Sequence, residues 1–184
     1  MPSIIGRRQA LRLGVAALLG GFAQPSFARA LGVDAPRRAI LHNLHTGETF
    51  DEVYYEGGRY VAQAMAQGMK VLRDWRTGEE KMIEPQLFDA LHAINLRLET
   101  DRPFQIISGY RSPTTNSMLH AKSSGVASNS QHTLGKAVDV RLQGVDLRNL
   151  RKAALDVAAG GVGFYPQSNF VHVDTGRVRQ WAGS

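Results

Sequence analysis

Ala137-Val138-Asp139-Val140-Arg141-Leu142 alternates residue by residue, with Val138, Val140 and Leu142 on one side and Ala137, Asp139 and Arg141 on the other. Side chains of a strand leave its two faces in turn, so this segment reads as a strand with one apolar face and one polar face. Phe170-Val171-His172-Val173-Asp174 repeats the pattern: Val171 and Val173 share one face, His172 and Asp174 the other. Between them, Asp146 can cap a helix whose apolar face is Leu147, Leu150, Ala154, Leu155 and Ala158, ending at Gly160-Gly161, and Val162 to Tyr165 reads as a further strand.

Working toward the N-terminus, Ser123 to Thr133 is rich in Ser, Gly and Asn and reads as an ordered loop or lid. Ser112-Pro113 opens a helix, with Ser112 as cap and Pro113 in the first position, where a missing amide hydrogen costs nothing. Pro103 to Ser108 reads as a strand. Pro85 begins a helix with a core stripe of Leu87, Phe88, Leu91, Ile94 and Leu98, and His92 lies off that stripe, toward solvent. Val61, Ala64, Met65, Gly68, Leu72 and Trp75 predict another helix, stopped by Thr77-Gly78. Ala39 to Tyr55 predicts a hairpin turning at Thr46-Gly47-Glu48, with His42 and His45 as surface or turn residues. Helices concentrated early, strands late and hairpins in between predict one α+β domain: a mixed or antiparallel sheet with packed helices.

The chain of 184 residues opens on a different kind of segment. Arg7, Arg8 and Arg12 precede an uncharged, mostly apolar run from Leu13 to Ala23, followed by Gln24-Pro25. A charged region, a short apolar region and small residues at Ser26, Ala28 and Ala30 predict a cleavable export signal over residues 1–28. The run is shorter than the roughly 20 apolar residues of a membrane span, so no stable span is expected after cleavage. The paired arginines, with Leu11 three positions after the second, resemble a twin-arginine signal, which implies the Tat export machinery as a partner and the periplasm as destination. Residues 29–38 are then a linker and 39–184 the domain. The net charge of +6 is inflated by the three signal arginines, which weakens any case for nucleic acid as a partner. With no cysteine, the chain has neither disulfides nor a thiolate metal site.

His132, Asp139 and His172 are the residues that can carry chemistry. Two imidazoles and a carboxylate with a fourth position open form a catalytic zinc shell, which generates a nucleophilic water and polarises a carbonyl. The same spacing also fits a plain ion pair of Asp139 with Arg141 or Lys136 and hydrogen-bonded histidines.

Ser130-x-His132-x-x-Gly135-x-Ala137-x-Asp139, with His172 in a terminal strand, resembles the zinc site of the M15 peptidases. Ser108-Gly109-Tyr110-Arg111-Ser112 is similar to their arginine segment. Asn43-Leu44-His45-Thr46-Gly47-Glu48 and Asn169-Phe170-Val171-His172-Val173-Asp174-Thr175-Gly176 resemble the YcbK-like branch of that family. The resemblance implies a fold of the D-alanyl-D-alanine carboxypeptidase and hedgehog type, and zinc held by His132, Asp139 and His172. It also implies that Arg111 grips a substrate carboxylate or the developing oxyanion. The implied activity is that of a zinc-dependent murein endopeptidase, hydrolysing amide bonds in peptidoglycan stem peptides or cross-links with metal-activated water. A D,D- or L,D-carboxypeptidase and a non-catalytic, zinc-containing peptidoglycan-binding module are the alternatives. The pattern breaks at Asn169, where many M15 enzymes carry a glutamate base. Asp174, on the same strand face as His172, is the candidate for the catalytic base or for a residue that fixes an imidazole.

Overall fold

The computed structural model describes residues 31–32, 34–123 and 125–183, so the expected signal over residues 1–28 lies outside the described residues. Eight strands form one sheet in the order β3-β2-β1-β4-β5-β7-β6-β8. They are β1 (Arg37–Asn43), β2 (Thr49–Glu56), β3 (Arg59–Tyr60), β4 (Phe104–Ser108), β5 (Ala137–Leu142), β6 (Gly161–Tyr165), β7 (Phe170–Asp174) and β8 (Arg179–Ala182). Pairing is antiparallel except for β1 with β4 and β6 with β8. The helices are α1 (Ala62–Val71), α2 (Pro85–Arg97), α3 (Pro113–Lys122) and α4 (Leu147–Val157), with a 3-10 turn at Gln131–Leu134. This is the α+β architecture expected, in a single domain.

Register decides which side of the sheet does what. Phe104 pairs with Leu142, Ile106 with Val140, Val138 with Val173 and Val162 with Val173, so their side chains leave the same face and are buried. Helices α1, α2 and α4 pack on that face, where Leu87, Phe88, Leu91, Ile94 and Leu150 complete the core. The opposite face carries Asp139 paired with His172, Gly163 also paired with His172, Tyr165 with Phe170, and Trp181 with Gly163.

Strand β1 starts at Arg37, which is buried with its guanidinium 2.8 Å from Asp89, and Asp89 also accepts from the Tyr54 and Tyr60 hydroxyls. Three expectations are corrected. Helix α1 stops at Val71 and leaves Trp75 in the following turn. There Asp74, almost fully buried, accepts from the backbone amides of Ser112 and Arg76, an arrangement a continuing helix could not supply. The freed Trp75 ring stacks on His45 at 4.1 Å. Helix α4 ends in a left-handed Ala158 rather than at the glycine pair. His92 is half-buried, and its Nδ1 donates to the Arg38 carbonyl at 2.9 Å. Ser112 and Asp146 cap α3 and α4 as expected.

Candidate metal centre

Three side chains from three elements converge on the open face of the sheet. His132 comes from the 3-10 turn, where the Ser130 hydroxyl accepts from the His132 amide. Asp139 sits in β5 and His172 directly opposite it in β7. His132 Nε2 lies 3.2 Å from Asp139 Oδ1 and 3.2 Å from His172 Nδ1, and His172 Nδ1 lies 2.9 Å from Asp139 Oδ1. Donors held at about 2.0–2.1 Å around a tetrahedral zinc stand roughly 3.3 Å apart, so these spacings match three corners of such a shell. All three residues are buried.

The ring nitrogens turned away from this point are tied down. His132 Nδ1 donates to the Gly109 carbonyl at 2.7 Å, and His172 Nε2 donates to Asp174 Oδ2 at 3.0 Å. Neither acceptor can give a proton back, so each histidine, in its neutral form, is held in the tautomer whose other nitrogen turns a lone pair toward the remaining candidate ligands. The donor set therefore fits a zinc ion. The simple ion pair of Asp139 with its chain neighbours does not form: Arg141 bonds Gln105 at 2.8 Å and Lys136 faces Glu84.

The charges follow from burial and contact. Burial pushes His132 below its usual value, and Asp139 offsets this only partly. For His172 burial acts downward as well, but hydrogen bonds to Asp139 and Asp174 outweigh it and raise the ring to about 9. Burial would raise both carboxylates, yet Asp139 is held well below the usual range by His132 and His172. Asp174 is held down by His172, Arg179 and the amides of Gly161 and Gly176.

Asp174 is fully buried behind His172. Its Oδ1 accepts from Gly161 at 2.9 Å and Gly176 at 2.8 Å, and Arg179 Nη2 donates to its Oδ2 at 2.7 Å. Gly161 leaves room for this carboxylate, since a Cβ there would stand 2.5 Å from Asp174 Oδ2. The same logic at Gly163 admits the Trp181 ring, 2.7 Å from where a Cβ would be.

Arg111 reaches the centre from the loop after β4. An irregularity in pairing between Ile106 and Ser108 sets Ser108 opposite Asp139, on the face that strict alternation would deny it. Arg111 Nη2 lies 3.4 Å from the Ser108 hydroxyl and 3.5 Å from Asp139 Oδ2, and Nη1 lies 3.3 Å from Asn116 Oδ1. These contacts are long, and the buried Nε has no partner among the described residues. Burial lowers the Arg111 pKa, with Asp139 opposing. A desolvated guanidinium with spare donors could hold an anion.

A cleft of about 610 Å³ opens over the centre, lined by His132, Asp139, His172 and Arg111, by residues of the 123–131 loop, and by Tyr165, Phe170, Arg179 and Trp181. Asp139 is the sole acidic residue among the described lining residues. Asn169 adopts a left-handed backbone in the β6–β7 turn and lines a separate depression beside Arg141, so the position of the missing glutamate is turned out of this cleft. The two residues of β8, Arg179 and Trp181, and the hydroxyl of Tyr165 were not singled out by sequence reasoning. The alternation of Arg179 and Trp181 around Gln180 is the only local signal for them.

Fold and site together define an α+β scaffold that brings together, in an open cleft, three side chains able to hold a metal ion. The family model Peptidase_M15_2, described as peptidoglycan L,D-endopeptidase MepK, matches residues 32–181. Peptidoglycan L,D-endopeptidase MepK of Escherichia coli K12 is 47% identical over 176 residues, covering 95% of this chain and 96% of the relative. The probable peptidoglycan L,D-endopeptidase MepK of Haemophilus influenzae is 36% identical over 178 residues, 96% of each chain. The chain belongs to this family of M15 peptidases.

Proposed function

We propose that the chain is a zinc-dependent murein endopeptidase that hydrolyses amide bonds in the peptide cross-links of peptidoglycan, including L,D bonds between two diaminopimelate residues. The observation that carries the reading is the convergence of three potential ligand atoms, from His132, Asp139 and His172, in an open cleft beside a buried arginine. The names of the relatives support the substrate. Zinc held by His132, Asp139 and His172 would supply a water nucleophile at neutral pH and polarisation of the scissile carbonyl. Arg111 holds a substrate carboxylate or the carbonyl oxygen as it gains charge, using donors that its protein contacts leave underused. Asp174 acts as a positioning residue: its partners are the far nitrogen of His172, two backbone amides and Arg179, which leaves it no route to the cleft except through the ring. The chain works in the periplasm, delivered by the twin-arginine signal of residues 1–28.

Digestion of purified cross-linked muropeptides, with and without a chelator, tests the reading by product mass. Split dimers that disappear on chelation are expected. Release of single terminal residues would make the protein a carboxypeptidase. That Asp139 is the sole acidic residue among the described lining residues favours a second reading, a zinc-containing binding module, which intact substrate retained on the protein would support.

A further inference from the structure

Tyr165 lies at the end of β6, in the cleft wall next to Phe170, with which its ring stacks at 4.5 Å and 20°. Trp181 Nε1 donates to the Tyr165 hydroxyl oxygen at 2.8 Å. An indole N–H can only donate, so this bond consumes a lone pair of the phenol and leaves its proton unused. Among the described residues no acceptor for that proton is found. Trp181 is itself fixed, because its ring fills the space over Gly163 and packs 5.2 Å from His172. Arg111 and Tyr165 line the same cleft. An aromatic ring clamped on one side by stacking and on its oxygen by an indole donor thus presents an O–H donor to the same cleft as the metal ligands.

We propose that the Tyr165 hydroxyl is a catalytic residue that donates a hydrogen bond to the scissile carbonyl oxygen as it acquires negative charge, with Trp181 as the positioning residue that aims it. The inference rests on the peptidase reading above. A fixed donor of this kind needs no reorganisation when charge develops, and removing one such donor from an acyl-transfer site costs about 100- to 1,000-fold in kcat. Arg111 and Tyr165 would then share the anionic load, and among the described lining residues no acid other than Asp139 would repel the oxyanion.

The test is Tyr165→Phe in the zinc-loaded protein, which keeps the stacked ring and removes only the hydroxyl. Expected are wild-type zinc content and melting temperature, little change in KM on a cross-linked muropeptide, and kcat lowered by about 100-fold or more. A phosphinate analogue of the tetrahedral species, titrated by calorimetry, should bind at least about tenfold more weakly to the variant, whereas the product peptide binds equally to both. Trp181→Phe, which deletes the indole donor, should lower kcat by a smaller factor in the same direction. Wild-type kcat and phosphinate affinity in Tyr165→Phe would overturn the assignment while leaving the peptidase reading intact. Absence of any turnover by the wild type would overturn both.

Discussion

Replacing Asp174 by asparagine separates the two roles that a carboxylate beside a zinc ligand can play. In the native protein both oxygens are spoken for: Oδ1 by the amides of Gly161 and Gly176 and by Arg179 Nη1, Oδ2 by His172 Nε2 and Arg179 Nη2. Asparagine keeps the volume but has one acceptor oxygen. With that oxygen turned to the two backbone amides, its NH2 confronts two donors, His172 Nε2–H and Arg179. The imidazole then loses its orienting acceptor, and loss of such an outer partner weakens metal binding by about 10- to 100-fold. That corresponds to roughly 1.4–2.8 kcal/mol. Arg179 is one-third exposed and can turn to water, so the cost falls mainly on His172. Zinc affinity from competition with a chromophoric chelator, and kcat at saturating zinc on the same preparation, form the assay. We expect weaker zinc binding and a metal-saturated kcat within about tenfold of wild type. Unchanged zinc affinity with kcat reduced by about 100-fold or more would refute the reasoning, since that is the signature of a lost proton acceptor.

Three further outcomes follow from the same geometry. His132→Ala removes one of three converging ligand atoms and should leave the dialysed protein with well under one zinc per chain, measured by elemental analysis; wild-type metal content would refute the ligand set. Arg111→Lys should retain zinc and fold but lower kcat/KM about 10- to 100-fold, because lysine keeps the charge and loses the planar fork; steady-state kinetics on a defined muropeptide decides it. Zinc binding should release about one proton per ion at neutral pH, since His172 is raised to about 9 and must surrender a proton, whereas His132, lowered by burial, is already neutral. The sign is that apparent affinity increases with pH and levels off above about 9. In the metal-free protein the stabilisation from protonated His172 is complete below its ordinary value near 6.5 and is lost as pH passes about 9. Calorimetry in buffers of different ionisation enthalpy measures the proton count.

The sequence by itself determined the elements that need only local information. Alternation in Ala137 to Leu142 and Phe170 to Asp174 set Asp139 and His172 on polar faces, and Ser112 and Asp146 announced their helices as caps. Asp139 and His172 were legible as candidate ligands for the same reason, because a carboxylate and an imidazole inside apolar strands require partners. Tertiary structure decided what periodicity cannot encode. Alternation says which face a side chain leaves, but not that the irregularity after Ile106 moves Ser108 to the site face, nor that Asp74 draws Trp75 out of a helix. It put Asp174 beside His172 without showing that the carboxylate meets the far ring nitrogen. Strand β8 escaped because four residues near the chain end carry too short a pattern, and its contribution, an indole that frees the Tyr165 proton toward the cleft, exists only once β6 and β8 lie side by side. Such hydrogen bonds join residues distant in sequence through register and shape, and those are properties of the folded sheet.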